Sequence, residues 1–366
     1  MLGVIEITSW HWAGFILCVL FFLALDLGVF HRRAHVVKFR EAMAWTTVWV
    51  SVSLLFGLVL APMAVSGWTR QETVEFVTGY IIELSLSMDN VFVIALIFAY
   101  FRVPSQYQHR VLFWGILGAL VMRGVMIAAG AALIQRFLWT LYLFGAFLIF
   151  TGLKMLVVSD EGVHPEKNVV LRLARKLFPV TLDFEGQRFF TRWRGRRALT
   201  PLALVLLMVE TTDLIFAVDS IPAIFAVTQN PFIVFTSNVF AILGLRSLYF
   251  VLAGAIEYFR YLKVGLSFVL VFIGAKMLLD PHDQPPKWFQ ADIATSVSLL
   301  VVGAIILTAI SLSIVATRRE KDAARHKPRL PKTGRQDGKD DESESSKHDE
   351  ASPRDQESDQ RRPGGD

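Results

Sequence analysis

The stretch DLIFAVDSI, residues 213–221, places two aspartates inside a run of apolar residues. A second stretch, ELSLSMDNV at residues 83–91, repeats its pattern of an acid, Leu, four residues, Asp, then Ser or Asn, then a β-branched residue. Each lies in an apolar segment long enough to cross a membrane, which takes about 20 residues of helix. The two stretches therefore predict a helical membrane protein with acidic groups inside the bilayer.

The composition also indicates a membrane protein. Apolar residues make up 54% of the 366 residues and charged residues only 19%. A soluble enzyme is therefore excluded, and a single cysteine, Cys18, excludes an internal disulfide framework or a cysteine-built metal site. We predict an all-α polytopic bundle of about nine transmembrane helices, at 12–30, 45–65, 74–101, 111–133, 138–158, 199–228, 232–256, 262–279 and 293–317.

The basic residues predict the orientation. They are concentrated in alternate connections, at 31–43, 102–110, 159–198, 260–263 and from 318 onward. Because basic loops stay in the cytoplasm, these connections are predicted to face it, with the N-terminus outside and the C-terminus inside. Residues 318–366 are polar and carry too little apolar surface to fold, so they are predicted to form a disordered cytoplasmic tail.

A second match strengthens the internal repeat. GLKML at 152–156 resembles GAKML at 274–278, and each lies at the end of the third helix of its set. The acidic motifs lie three spans apart, so their helices must cross in opposite directions, as in the inverted-topology repeats of transporters. This 3+3 repeat divides the chain into two N-terminal helices (1–70), unit 1 (71–158), a basic loop (159–198), unit 2 (199–280), a last transmembrane helix (281–317) and the tail (318–366).

The carboxylates of Glu83, Asp89, Glu210, Asp213 and Asp219 lie within predicted spans, where each charge is unfavourable by about 2.5–3.5 kcal/mol at a helix centre. A divalent cation would compensate them, because Mn²⁺, Mg²⁺ and Ca²⁺ bind carboxylate, amide and hydroxyl oxygens. Neither motif contains histidine or cysteine, which disfavours zinc and copper. We therefore predict a metal site drawn from the motif residues and one further acid: Glu83, Asp89, Asn90, Glu210, Asp213, Asp219 and Ser220.

The helical period leaves two geometries open. At about 100° per residue, Glu83 and Asp89 do not share a face, whereas residues seven apart, such as Asp213 and Ser220, do. Either the acids line two helix interfaces, or the helices are broken within the motif. Pro222 favours a break beside Asp219, because it lacks the donor for the carbonyl of Val218.

Four other residues are candidates for supporting roles. Arg123 and Arg246 lie inside spans, where a structural ion pair with a motif carboxylate is favoured over direct contact with a ligand. Asp26 lies near the end of the first span and has a basic loop beside it as an alternative partner. Pro222 is the candidate helix breaker. The repeated lysines, Lys154 and Lys276, are expected to extend to the two membrane interfaces.

At these motifs the chain resembles the TerC family of bacterial integral membrane proteins, including its Alx-type members. The resemblance covers roughly residues 10–316 and is most specific at 213–228, 230–234 and 236–238. It implies a multi-pass protein of the bacterial inner membrane linked to metal-ion homeostasis, with manganese export as its activity and a family name derived from tellurium resistance. It also implies that the motif acids are functional, here Glu83, Asp89, Asp213 and Asp219.

The leading hypothesis is a manganese exporter that works by alternating access, with Mn²⁺ as transported ion, no permanently bound cofactor and no nucleic-acid partner. Protonation of the carboxylates would release the ion, which makes protons the expected counter-ion. An acidic pocket repels tellurite, so any tellurite effect is expected to be indirect. A membrane scaffold that delivers metal to other proteins, and an intramembrane aspartic protease, are the alternatives. We expect no enzymatic activity.

Overall fold

The computed structural model describes residues 7–25, 39–157, 166, 168–193, 195–253, 261–280, 290–291 and 293–326. These form helices and one short hairpin. The elements are α1 Ser9–Leu25, α2 Phe39–Leu55 with a π-helical continuation Phe56–Leu60, α3 Ala61–Ala64, α4 Arg70–Tyr100, α5 Ser105–Arg136, α6 Trp139–Val157, α7 Val169–Leu177, β1 Phe190–Trp193, β2 Arg196–Leu199, α8 Pro201–Phe225, α9 Pro231–Ala253, α10 Leu262–Leu279 and α11 Thr295–His326.

The helices confirm the predicted all-α polytopic architecture. Eight helical stretches in the described part of the chain are long and apolar enough to cross a membrane. They correspond to the second to ninth predicted spans. The first predicted span, 12–30, is represented by α1, which has 17 residues, and its remainder lies outside the described residues. Asp26 lies there too.

Local sequence signals explain where the two motif helices begin. Thr69 and Glu72 form a capping box at α4, in which the Gln71 N–H donates to Thr69 Oγ1 at 3.1 Å. Thr200 caps α8, and Pro201 occupies its first turn, where a missing N–H leaves no bond unmade.

The helix break beside Asp219 that Pro222 favoured is not present in α8. The helix continues through Asp219 and Pro222 to Phe225. Pro222 lies within the last turn, where the missing N–H removes a single hydrogen bond close to the helix end. The acids therefore lie on continuous helices, which leaves the alternative geometry, in which they line helix interfaces.

The third helices of the two predicted units pack most closely. A Cβ at Gly274 of α10 would lie 2.7 Å from the Gly145 carbonyl oxygen of α6. Small residues thus let the two backbones approach, as in other membrane helix pairs. Two further pairs are in contact, α5 with α8 and α4 with α9. If α4, α5 and α6 are matched in order to α8, α9 and α10, each of these two pairs is the equivalent of the other. This pattern is compatible with the inverted repeat, which stays a prediction.

The last helix is longer than predicted. α11 continues past the expected end at Thr317 to His326. The added residues 318–326, RREKDAARH, are mostly good helix formers. The helix therefore continues through them although they are polar. Contacts divide the chain into Met1–Asp322 and Ala323–Asp366, and residues 327–366, which contain most of the predicted tail, lie outside the described part.

Candidate functional site

Arg123 of α5 is the centre of a buried ion cluster. Its Nη2 and Nε donate to the two carboxylate oxygens of Asp213 on α8, at 2.8 and 3.2 Å. Its Nη1 donates to Glu83 of α4 and, at 3.3 Å, to Ser220 Oγ. Arg123 and Glu83 are fully enclosed. The predicted ion pair therefore forms, and it joins the first acids of both motifs through one guanidinium.

The second acids of both motifs line a different space. Asp89 and Asn90 of α4 and Asp219 and Ser220 of α8 border one cavity of about 300 Å³. Asn90 is buried, and its Oδ1 has no hydrogen-bond partner among the described residues. The cavity thus brings oxygen-bearing side chains from two helices together, and one of them, Asn90, has a buried carbonyl oxygen without a partner among the described residues.

Helix α6 and the start of α10 contribute polar residues that the motif analysis did not assign to the site. Thr151, Lys154 and Lys263 line the same cavity. The Thr151 hydroxyl is within hydrogen-bonding range of Asp219, and the Lys154 ammonium acts on that carboxylate electrostatically. Thr151 immediately precedes the repeated GLKML sequence, and a hydroxyl in an apolar span was the signal that would have identified it.

Glu210 lies apart from the cavity. It is half-buried on α8, and its carboxylate packs directly against Gly118 of α5. A side chain at position 118 would overlap that carboxylate. Glu210 also precedes Asp213 by one turn, so the glycine makes room for a third acid beside the Arg123 cluster, which already contains Glu83 and Asp213.

The predicted metal ligands are thus distributed over three places. Glu83 and Asp213 contact Arg123, and Glu210 contacts Gly118. The cavity is lined by Asp89, Asn90, Asp219 and Ser220, and Ser220 also contacts Arg123. No three His, Cys, Asp or Glu side chains among the described residues form a metal-sized cluster. Arg246 is half-buried on α9, and it is not among the residues that line the cavity.

A second cavity of about 770 Å³ lies at the other ends of the same helices. Glu75 of α4 lines it about 20 Å along the helix axis from Asp89, at 1.5 Å per residue. Lys276 lines it too and is buried, with Nζ 3.7 Å from Asp280 Oδ2. Lys276 is thus enclosed by protein beside an acid one turn away, and its extension to the membrane interface stays a prediction.

Apolar side chains fill the space between the two cavities. Ile82 of α4, Ile221 and Ile224 of α8 and Ile273 of α10 belong to one buried cluster and are almost completely enclosed. On each helix they lie between residues of the first cavity and residues of the second. This apolar layer separates the two cavities.

Comparisons with known proteins agree with the architecture. The profile described as "Integral membrane protein TerC family" matches residues 68–321, from the start of α4 into α11. An "Uncharacterized membrane protein STKORF319" of Myxococcus xanthus is 50% identical over 323 residues, 87% of this chain and 96% of its own. A "Putative membrane-bound redox modulator Alx" of Escherichia coli K12 is 46% identical over 319 residues, covering 86% and 97%.

A more distant relative, an "Uncharacterized membrane protein" of Rickettsia bellii, is 38% identical over 296 residues, 81% of this chain and 97% of its own. No solved structure matches the chain. The profile covers more than half of the chain, including both acidic motifs, and the relatives cover most of it. The chain belongs to the TerC family of integral membrane proteins.

Proposed function

We propose that the protein transports a divalent metal ion, Mn²⁺ foremost, and that Asp89, Asn90, Asp219 and Ser220 bind it. One observation carries the proposal: these four residues, from the two predicted repeat units, line a single cavity within the membrane helices. Two carboxylates supply charge, and the amide and hydroxyl supply neutral oxygens, a donor set that hard divalent ions prefer.

The polar atoms of the cavity support a cation rather than an anion or an apolar ligand. The buried Asn90 Oδ1 has no hydrogen-bond partner among the described residues, and an unmade bond of this kind is unfavourable in an apolar surrounding. A bound cation would satisfy it. Histidine and cysteine are absent from the lining, which disfavours zinc and copper.

Lys154 and Lys263 act as tethered positive charges in this proposal. Both line the cavity that Asp89 and Asp219 line, so their ammonium groups would compete with a metal ion for these carboxylates. Entry of a divalent ion requires Lys154 to turn away from Asp219. Because Lys154 is exposed and flexible, it can do so at little structural cost.

The Arg123 cluster has a positioning role. It holds Glu83 and Asp213 on two helices whose next carboxylates, six residues further on, line the cavity. A buried guanidinium between two acids fixes the separation of α4 and α8, since removing any partner leaves a buried charge uncompensated. Glu83 and Asp213 thus orient the site instead of binding the ion in this arrangement.

Alternating access would use both cavities. The layer formed by Ile82, Ile221, Ile224 and Ile273 closes the path from the ion site to the second cavity. Rocking one predicted repeat unit against the other would open this layer and close the first cavity. We propose that the protein lies in the bacterial inner membrane with its C-terminus in the cytoplasm. Protons are the proposed counter-ion. Metal flux that does not change when a pH gradient is imposed would contradict proton coupling.

A redox role, as in the name of the Escherichia coli relative, has less support in this chain. Its one cysteine, Cys18, cannot form an internal disulfide, so a thiol cycle would need a second molecule. Asp89 and Asp219 in one cavity also permit the aspartic protease hypothesis. Peptide cleavage by the purified protein that is lost in Asp89→Asn would favour it over transport.

Metal binding tests the proposal directly. Purified protein is titrated with Mn²⁺, and free ion is followed by its six-line electron paramagnetic resonance spectrum. We expect wild type to bind Mn²⁺, Asp219→Asn to bind it much more weakly, and Asp183→Asn, an acid-to-amide change in an exposed loop, to match wild type. Equal binding by all three proteins would contradict the assigned site.

A further inference from the structure

The segment 168–199, between α6 and α8, is fixed to the ends of two spanning helices. Thr200 Oγ1, at the start of α8, donates to the Arg188 carbonyl oxygen at 2.6 Å. Arg110, near the start of α5, donates to Gln187 Oε1 at 3.2 Å, and its guanidinium lies over the Phe189 ring at 5.4 Å. The segment therefore lies where these helices leave the membrane, whichever side that is.

Helix α7 in this segment has three distinct faces. Leu171 is buried in the cluster that contains Leu202 and Val205 of α8, which attaches the helix to the span. At about 100° per residue, Val169, Leu173 and Leu177 form a stripe about 80° wide, whose nearest member, Leu177, is about 120° around the helix from Leu171. All three of its members are more than half exposed.

The third face of α7 is basic. Arg172, Arg175 and Lys176 are exposed and lie between the buried Leu171 and the apolar stripe, about 40–140° around the helix from Leu171. Across the whole segment, the sequence has eight basic residues and two acidic ones. Exposed apolar residues continue outside the helix, with Leu182 at 96% and Phe190 at 66% exposed. The surface thus combines strong positive charge with large apolar side chains.

This combination identifies the occupant. A short helix with an apolar stripe beside a basic face is typical of helices that lie in a membrane interface, with the stripe in the acyl boundary and the charges among anionic headgroups. A nucleic acid would explain the basic face and leave the apolar stripe in water. We propose that α7 lies on the anionic phospholipid surface of the membrane that its own neighbouring helices span. This inference is independent of the transport proposal.

The test places a reporter on the stripe. The full chain with Cys18→Ser and Leu173→Cys is labelled with an environment-sensitive fluorophore and reconstituted into vesicles of phosphatidylcholine alone or with phosphatidylglycerol. In the mixed vesicles we expect strong quenching by lipids with a shallow nitroxide and weak quenching by aqueous iodide. Replacing Arg172, Arg175 and Lys176 by Gln should weaken the bound state about fivefold per charge.

Matched measurements separate the possible outcomes. A label at Asp183→Cys, an exposed polar position of the same segment, should remain more accessible to iodide than the label on the stripe. Equal iodide access to the Leu173 label in both vesicle types would overturn the proposal. Protection from iodide and from the lipid nitroxide together would overturn it as well, because protein would then cover the stripe. The comparison of vesicles needs no further substitution, so a folding defect cannot produce the result.

Discussion

Arg123 and Asp213 form a two-pronged ion pair between α5 and α8, with Nη2–Oδ1 at 2.8 Å and Nε–Oδ2 at 3.2 Å. The same guanidinium contacts Glu83 on α4. Three spanning helices thus meet at one charge. The acids of the two motifs therefore form two sets: Glu83 and Asp213 contact Arg123, and Asp89 and Asp219 line the cavity.

The first prediction concerns this cluster. Arg123→Ala leaves Glu83 and Asp213 without their cation, and breaking a buried pair in this way destabilises a protein by about 3–5 kcal/mol. We expect a large loss of Tm in detergent. The triple variant Arg123→Met, Glu83→Gln and Asp213→Asn, which removes all three charges, should recover part of it. If the single variant is as stable as wild type, the cluster is not a structural element.

The second prediction uses a pair of glycines in similar sequence surroundings. Gly118 and Gly244 each follow Ile-Leu, but only Gly118 packs against Glu210; a Cβ at Gly244 would meet Trp49 Cβ at an ordinary 3.6 Å. Gly118→Ala should therefore displace the Glu210 carboxylate and lower Tm by a small amount, and Gly244→Ala should not. Combining Gly118→Ala with Glu210→Ala removes the overlapping carboxylate and should restore stability. Failure of that rescue would show that another contact of Gly118 matters.

The third prediction tests the close approach of α6 and α10. Gly274→Ala would bring a methyl group to 2.7 Å from the Gly145 carbonyl oxygen, a backbone atom that cannot turn away. Gly303→Ala, on α11, meets nothing within 4 Å. We expect Gly274→Ala to be destabilised by about 1–3 kcal/mol, as in overpacked cores, and Gly303→Ala to match wild type in thermal unfolding. Equal stability would mean that the helices can separate freely.

The fourth prediction addresses Lys154. Because its ammonium competes with a bound cation for Asp219, Lys154→Met should raise Mn²⁺ affinity by about tenfold, the effect of roughly 1.4 kcal/mol. The spectroscopic titration measures this change. Lys176→Met, which removes an exposed lysine on α7, is the matched control. A lower affinity in Lys154→Met would indicate that the lysine holds the site together instead.

Much of this arrangement was predictable from local sequence. The span 262–279 coincides with α10, since apolar length and polar flanks define a membrane helix directly. Asp213 and Ser220, seven residues apart, both contact Arg123 as the helical period requires. An arginine among acids in an apolar medium has few other partners, so its ion pair followed from charge alone.

The remainder depends on tertiary packing. Lys154 and Thr151 reach Asp219 because α6 packs beside α8, a contact between residues far apart in the sequence. Lys276 is buried because Asp280 lies one turn on and the Ala226 carbonyl oxygen is 3.5 Å away. Hydropathy alone does not distinguish the two lysines, although Asp280, four residues after Lys276, has no counterpart at Val158, four residues after Lys154. Pro222 likewise disturbed α8 less than expected because the helix ends three residues later.

The most direct test of the account is Mn²⁺ transport by the protein in proteoliposomes that contain a Mn²⁺-sensitive dye. Wild type and Asp183→Asn should carry Mn²⁺ down an imposed gradient, with Mg²⁺, Ca²⁺ and Zn²⁺ as competitors that rank selectivity. The double variant Asp89→Asn with Asp219→Asn should abolish the flux while keeping the wild-type elution volume. Absence of flux in well-folded wild type, under either gradient direction, would contradict transport and favour the scaffold hypothesis.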